Sequence, residues 1–521
     1  MNEPLRRRSL LAFGAGALSA GLSGCSSPAS DARAQVSQAA YVGSEAAVVA
    51  AVEKARYHSG REPVTYELTA ARERIDLAGR TVETWLYGDR PGTRALRAKK
   101  GDTLSVRLAN RLPEQTTLHW HGIRIRNDMD GVSPVTQRAV EPGKDFTYTF
   151  DVADPGTYWY HPHVGLQADR GLYGPLIVED PDDRSGIGTD HVIVIDDWLD
   201  GLGTTPDEVL TALNPALGGS MAGMDMGTAS ASPSSGHHQV SAATAALVPS
   251  KPMTSTLLKG VAGDIAYPLH LINGRPPADR ETIRATTGTK ARLRIINAAA
   301  ETPYRFAVAG HRMTVTHTDG YPVTPFEVDS LLIGMAERYD VVIVPKSGAW
   351  PVVAKAEGKP GHAAALLRTG DASATKAPGA GTLPGELAGR VLRYRDLSPA
   401  ASARLASRTP DRTYAVRLIG DMKRFVWGIA GKDAARLVVE RGQRVRIAMT
   451  NKTAMWHPMH LHGHTFAVAG AAGIRKDTVV TLPGETVTIE FDADNPGAWM
   501  LHCHNAYHFE AGMTANLNYL A

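Results

Sequence analysis

Short stretches of this chain place apolar residues at every second position, and clusters of glycine, proline and asparagine separate them. Phe146-Thr147-Tyr148-Thr149-Phe150-Asp151-Val152 and Thr486-Val487-Thr488-Ile489-Glu490-Phe491 are two such stretches. Alternation of this kind sends successive side chains to opposite faces of a pleated strand, one buried and one wet. Asp154-Pro155-Gly156 and Asn495-Pro496-Gly497 read as the turns between strands. One pattern occurs three times: a glycine, apolar residues three, five and seven positions on, and an asparagine at the ninth. The copies are Gly101-Leu104-Val106-Leu108-Asn110, Gly288-Ala291-Leu293-Ile295-Asn297 and Gly442-Val445-Ile447-Met449-Asn451. No long 3.6-residue period competes with them. An all-β chain is expected, built of three sandwich domains of similar design.

The first and third copies share more than a strand. The offset of 341 that carries Gly101 onto Gly442 also carries His119 and His121 onto His460 and His462, and His161 and His163 onto His502 and His504. Eight histidines thus form two equivalent sets of His-x-His pairs. On an extended strand residues i and i+2 share a face, so each pair presents two imidazoles to one side. Imidazole is the usual protein ligand for copper, zinc and iron. The second copy breaks the symmetry, with Phe306 and Val308 in the places of His119 and His121. Domains one and three are therefore expected to face each other across the histidines, with domain two bridging them.

The third domain carries a further group. His457, Cys503, His508 and Met513 have Thr116, Pro162, Gln167 and Leu172 at their counterparts. Two imidazoles, a thiolate and a weak thioether form the ligand set of a blue-copper electron-transfer site. Cys503 lies between His502 and His504, whose rings should point the other way along the strand, so one segment joins the two sites.

His119-Trp120-His121-Gly122, His161-Pro162-His163, the run His457 to His462, and His502-Cys503-His504 followed by His508 and Met513 resemble the four copper signatures of multicopper oxidases. With Asn127-Asp128-Met129-Asp130-Gly131 and the leader described below, the chain looks most similar to actinobacterial copper-resistance members, cuprous oxidase or laccase-like lipoproteins. The resemblance implies three cupredoxin-like Greek-key sandwich or barrel domains and four copper ions. Type 1 copper would lie on His457, Cys503 and His508 with Met513 axial, and type 2 on His119 and His460. The type 3 pair would lie on His121, His161, His163, His462, His502 and His504. The implied reaction removes four electrons one at a time from a small reductant at the type 1 site, passes them through Cys503, and reduces dioxygen to water. Asp130 matches a carboxylate that orients solvent and relays protons; an ordinary Asp-Gly turn is the alternative. The family's second carboxylate is replaced by Phe509, followed by Glu510, which leaves the second proton donor unassigned.

An axial methionine favours a moderate potential and easily oxidised donors. Copper(I) is one, with phenols or iron(II) as other reductants, and thioethers bind it. Met221, Met224 and Met226, with His237 and His238 beyond them, form a low-complexity stretch that is either a copper(I) collector or a plain insertion. Met422 and Met455 are further copper(I) candidates. His58, His191, His270, His311, His317, His362 and His464 follow no such pattern and are expected to be structural.

With 521 residues, 43% hydrophobic and 21% charged, the chain has ample core without disulfides, and its two cysteines, Cys25 and Cys503, cannot form a framework. A net charge of +3 gives no case for nucleic acid. Arg6-Arg7-Arg8 before a short apolar run resembles a twin-arginine signal, and Leu22-Ser23-Gly24-Cys25 a lipobox, so Cys25 is the expected lipidation site. The expected organisation is a signal over 1–24, a tether over 25–60, and domains over 61–185, 186–370 and 409–521. Domain two would carry the insertion near 213–252, and 371–408 would be a linker. The chain should be exported and held by a lipid anchor alone on the outer face of the cytoplasmic membrane. Its expected function is copper(I) oxidation in copper tolerance. A laccase-like phenol oxidase, or a copper-sequestering scaffold without oxidase activity, are the alternatives.

Overall fold

The computed structural model describes residues 41–77, 79–214, 216, 241–370, 375–470 and 472–521. The expected signal, Cys25, Met221, Met224 and Met226 lie outside the described residues. Among the described residues no helix is long and apolar enough to cross a membrane.

The three repeats form the strands Asp102–Asn110, Ala291–Asn297 and Arg444–Asn451. Each lies between one parallel and one antiparallel neighbour. The parallel ones are Val64–Leu77, Thr189–Trp198 and Arg412–Asp421, and the antiparallel ones Asp145–Val152, Arg338–Ile343 and Thr486–Asp492. A parallel neighbour demands a crossover, here through a second sheet. The result is three two-sheet sandwiches, of four and four, six and six, and six and five strands, and none of these sheets closes on itself.

The closing asparagine of each repeat has one structural task. Asn110 Nδ2 donates to the carbonyls of Glu114 and Val140, Asn297 Nδ2 to those of Thr302 and Ile333, and Asn451 Nδ2 to those of Met455 and Thr481. Each Oδ1 accepts the N–H two residues on, at Leu112, Ala299 and Thr453. A buried amide thereby satisfies backbone groups where the chain leaves the sheet, which an apolar residue could not do.

Leu104, Val106 and Leu108 are fully buried, each worth about 1.5–3 kcal/mol of apolar burial. The second repeat departs from a half-wet strand, because Arg292 and Arg294 are buried as well. Arg292 pairs with Asp183, and Arg294 pairs with Asp190 and Asp340 and donates to Thr157 Oγ1 of the first sandwich. Docking against the first sandwich covers the face that the alternation leaves to solvent.

Candidate metal centres

The first histidine pair lies on the strand His119–His121, antiparallel to Gly156–His161 with His119 opposite His161. The equivalent pairing joins His457–Leu461 to Ala498–Cys503, with His460 opposite His502. Trp120 points into the core, where its ring meets Phe150 at 4.8 Å and Tyr148 at 5.7 Å, so its two neighbours face the opposite side. There the sandwiches meet. His119 stacks on His462 at 3.9 Å and His121 on His460 at 3.8 Å, an exchange expected of an approximate twofold. His163 and His161 complete the cluster, 5.1 Å from His502 and 5.2 Å from His504. Seven of the eight rings are buried and His504 is half-buried.

Hydrogen bonds set which nitrogen is bare on six of the rings. His119, His161 and His460 donate through Nδ1 to the carbonyls of Asp130, Pro162 and Asp477, and their Nε2 atoms are buried with no partner. His121 is reversed: Nε2 donates to Asp477 Oδ1 at 3.1 Å, and Nδ1 is the bare atom. His504 Nε2 is likewise unpartnered. His462 Nδ1 donates to Asp130 Oδ2 and His502 Nδ1 to the Cys503 carbonyl. With those nitrogens donating, the two Nε2 lone pairs face each other at 3.0 Å, an arrangement that a shared cation relieves. Burial first, then repulsion between neighbouring rings, holds His121, His163, His460, His462 and His504 far below the usual histidine range. Burial also brings His502 to about 4 and takes His161 far down. These rings are neutral at physiological pH, the form that ligates a metal. The donor set fits a group of copper ions.

The second site lies one residue away along the chain. Cys503 Sγ is 3.7 Å from His457 Nδ1 and 3.8 Å from His508 Nδ1, and those nitrogens are 3.2 Å apart. Their outer nitrogens are engaged, His457 Nε2 with Thr453 Oγ1 and His508 Nε2 with Asp264 Oδ2 at 3.3 Å. All three ligand atoms converge in a space from which water is excluded. Burial pushes the Cys503 thiol up, and a bound cation would offset that cost by taking the thiolate. His508 is presented by the helix Ala506–Glu510, capped by Asn505 Oδ1, which accepts from the N–H groups of Tyr507 and His508. Met513 is fully buried; its N–H donates to the His508 carbonyl and its own carbonyl accepts from Cys503 N–H.

Several neighbours escape sequence reasoning. Asp264 comes from the second sandwich and is half-buried beside His508. The Trp427 ring lies 4.0 Å from His508 and 5.3 Å from His457, walling the site. Phe509 packs on His163 and His502 at 4.8 and 5.0 Å, so an apolar ring stands beside the eight-histidine cluster. A narrow cavity of about 50 Å3, lined among others by Ala298, Ala299, Ala300 and Phe509, reaches His161 and His504. Met422 is half-buried near the turn before Phe425 and Trp427, whereas Met455 is fully buried in the core with no thioether open to solvent.

Asp477 is the most informative omission. Asp130 and Asp477 each hold one histidine of their own sandwich through the main-chain carbonyl and one of the opposite sandwich through the carboxylate. They are twofold mates. Asp130 follows His119 by 11 residues and Asp477 follows His460 by 17, so six additional residues hide the correspondence from an offset of 341.

Multicopper oxidase family models match residues 69–183, 248–372 and 408–520. The chain is 45% identical over 483 residues to Multicopper oxidase MmcO of Mycobacterium tuberculosis, covering 91% of this chain and 90% of that protein. It is 28% identical to Copper resistance protein A of Escherichia coli, covering 86% and 91%. Among solved structures, a multi-copper oxidase from Pseudomonas thermotolerans superposes with a TM-score of 0.61 at 26% identity, covering 88% of this chain and all of that one. With cupredoxin-like sandwiches, two histidine-rich ligand clusters and this similarity along nearly its whole length, the chain belongs to the multicopper oxidases.

Proposed function

We propose that this oxidase takes electrons from copper(I), or from a similarly small and easily oxidised donor, at the Cys503 site and delivers them to dioxygen at the eight-histidine cluster. One observation carries the reading: the three consecutive residues His502-Cys503-His504 belong to both clusters, with the thiol in one and both rings in the other. Copper held there, as one type 1, one type 2 and two type 3 ions, would supply one-electron chemistry, in which four electrons and four protons convert one dioxygen to two waters.

The chain's residues do the rest. His457, Cys503 and His508, with Met513, would hold the type 1 ion. His119 and His460 would hold type 2, and the other six rings type 3. The engaged outer nitrogens of His457 and His508, and of six of the eight clustered rings, fix their orientation, which keeps reorganisation small when an electron passes. Asp264 gives the His508 edge a negative, half-buried approach suited to a cationic donor. The narrow, largely apolar cavity beside Phe509 would be the approach of dioxygen to the cluster. The Asp130 carboxylate meets rings of both sandwiches, His119 Nδ1 at 3.2 Å and His462 Nδ1 at 2.9 Å, and would orient solvent and relay protons beside the cluster. Met422 is the exposed-side thioether for copper(I), and Met221, Met224 and Met226 would collect it.

The role that follows is copper tolerance outside the cytoplasm, after twin-arginine export and lipidation at Cys25. The deciding measurement is oxygen uptake by the copper-loaded protein with copper(I) as sole reductant, alongside a phenol and iron(II). Fast uptake with copper(I) alone supports the reading. Faster uptake with the phenol makes the protein a laccase, and copper retention without uptake makes it a sequestering protein.

A further inference from the structure

The second sandwich contributes none of the histidines, yet it reaches the eight-histidine cluster. Arg338, the first residue of its strand Arg338–Ile343, is fully buried. Its guanidinium forms a bidentate pair with Asp477, Nη1 to Oδ1 at 2.7 Å and Nη2 to Oδ2 at 2.6 Å. Nε donates to the Thr157 carbonyl of the first sandwich, and Nη1 also donates to the Ala336 carbonyl of its own. One side chain thus ties all three sandwiches together. Asp319, also of the second sandwich, strengthens the hold: Oδ1 accepts from Arg338 N–H, and Oδ2 accepts from the N–H groups of Asp477 and Thr478 and pairs with Lys476 Nζ at 3.1 Å.

Asp477 is the residue that orients two rings. Its carbonyl accepts from His460 Nδ1, leaving Nε2 bare, and its Oδ1 accepts from His121 Nε2, leaving Nδ1 bare. The twofold mate, Asp130, performs the same two tasks with no arginine or lysine paired to it among the described residues. The two halves of the cluster are therefore held differently, one by a lone carboxylate and the other by a carboxylate clamped from the second sandwich. Gly122, directly after His121, lies at φ +87°, and a Cβ there would collide with Arg338 Nη2. The motif glycine makes room for the guanidinium.

The geometry points to Arg338 as a positioning residue of the dioxygen-reducing centre, which acts through Asp477 to fix the orientation of His121 and His460. The second sandwich then completes that centre and does more than space the other two. Lysine cannot replace it, because a point charge lacks the planar fork that holds both carboxylate oxygens. This inference rests on the copper reading of the eight histidines.

The test uses the full copper-loaded protein with Arg338→Lys and Asp477→Asn, two mild changes. Four properties are read: copper per chain, the type 2 electron paramagnetic resonance signal, the near-ultraviolet band of the coupled type 3 pair, and the visible thiolate-to-copper band. Both variants are expected to keep the visible band while the type 2 and type 3 signatures shift or disappear. Copper per chain should fall below the parent value, with oxygen turnover down about 10- to 100-fold. Type 2 and type 3 signatures identical to the parent in both variants would overturn the inference. So would loss of the visible band in step with them, which marks general misfolding. If the parent itself shows no type 2 or type 3 signature, the copper reading falls and this inference with it.

Discussion

Asp130 Oδ2 accepts a hydrogen bond from His462 Nδ1 at 2.9 Å, so a carboxylate of the first sandwich fixes the tautomer of a ring in the third. Asp130→Asn can present an amide N–H to that nitrogen and so disturb the ring. Oxygen turnover should fall about 10- to 100-fold while the thiolate-to-copper band is unchanged. Oxygen uptake and a visible spectrum decide the matter, and an unaltered turnover would return Asp130 to the rank of a turn residue.

Cys503→Ser exchanges a soft thiolate for a hard hydroxyl at a site built for one-electron transfer. The variant should be colourless and inactive towards every donor, yet keep the type 2 and type 3 signatures, because no eight-histidine ligand is touched. Retained blue colour would refute the placement of the thiolate.

Asp264 meets His508 Nε2 at 3.3 Å from the solvent side. Asp264→Asn removes its charge and should raise the KM for copper(I) about 10-fold, the size of one charge-assisted contact. A neutral phenol should be affected less. Steady-state kinetics with both donors measure the ratio; equal effects would mean that Asp264 acts on His508 alone and does not attract the donor.

Burial raises the Glu510 carboxyl from 4.5 to about 7. The folded chain therefore holds this proton more tightly than the unfolded chain. The stability this contributes is fully present below about pH 4.5 and is lost as pH rises through about 7. Glu510→Gln should gain thermal stability relative to the parent across that window. Melting curves of the copper-free proteins test this, and parallel pH profiles would contradict it.

Copper removal should lower the melting temperature of the parent, since the bare nitrogens of His119, His121, His161, His460 and His504 remain buried and unpartnered. Re-addition should restore it in a concentration-dependent way, as for any ligand bound only by the folded state. Calorimetry of chelated and reloaded protein reads the shift directly.

The sequence by itself determined the local half of this protein. Alternation after Gly101, Gly288 and Gly442 specifies three like strands, because the strand period of two dictates which side chains share a face. The same period makes His119 and His121, or His502 and His504, project together while Trp120 and Cys503 project away. A single offset relates the two His-x-His sets, so the eight histidines stand out as one group in the sequence, and the residues that break the offset mark the Cys503 group.

Only the tertiary structure decided what surrounds them. Asp477 meets His121 across 356 residues, Asp264 meets His508 across 244, and Arg338 meets Asp477 across 139. No periodicity connects such positions, and a six-residue difference in spacing removes Asp477 from the repeat altogether. A lone aspartate or arginine in a sequence reads as surface charge; Asp477 and Arg338 are buried because three sandwiches dock around them, and docking also covers Arg292 and Arg294. Ligand spacing is a property of one strand, whereas the orientation of each ring is set by acceptors that other strands bring to it.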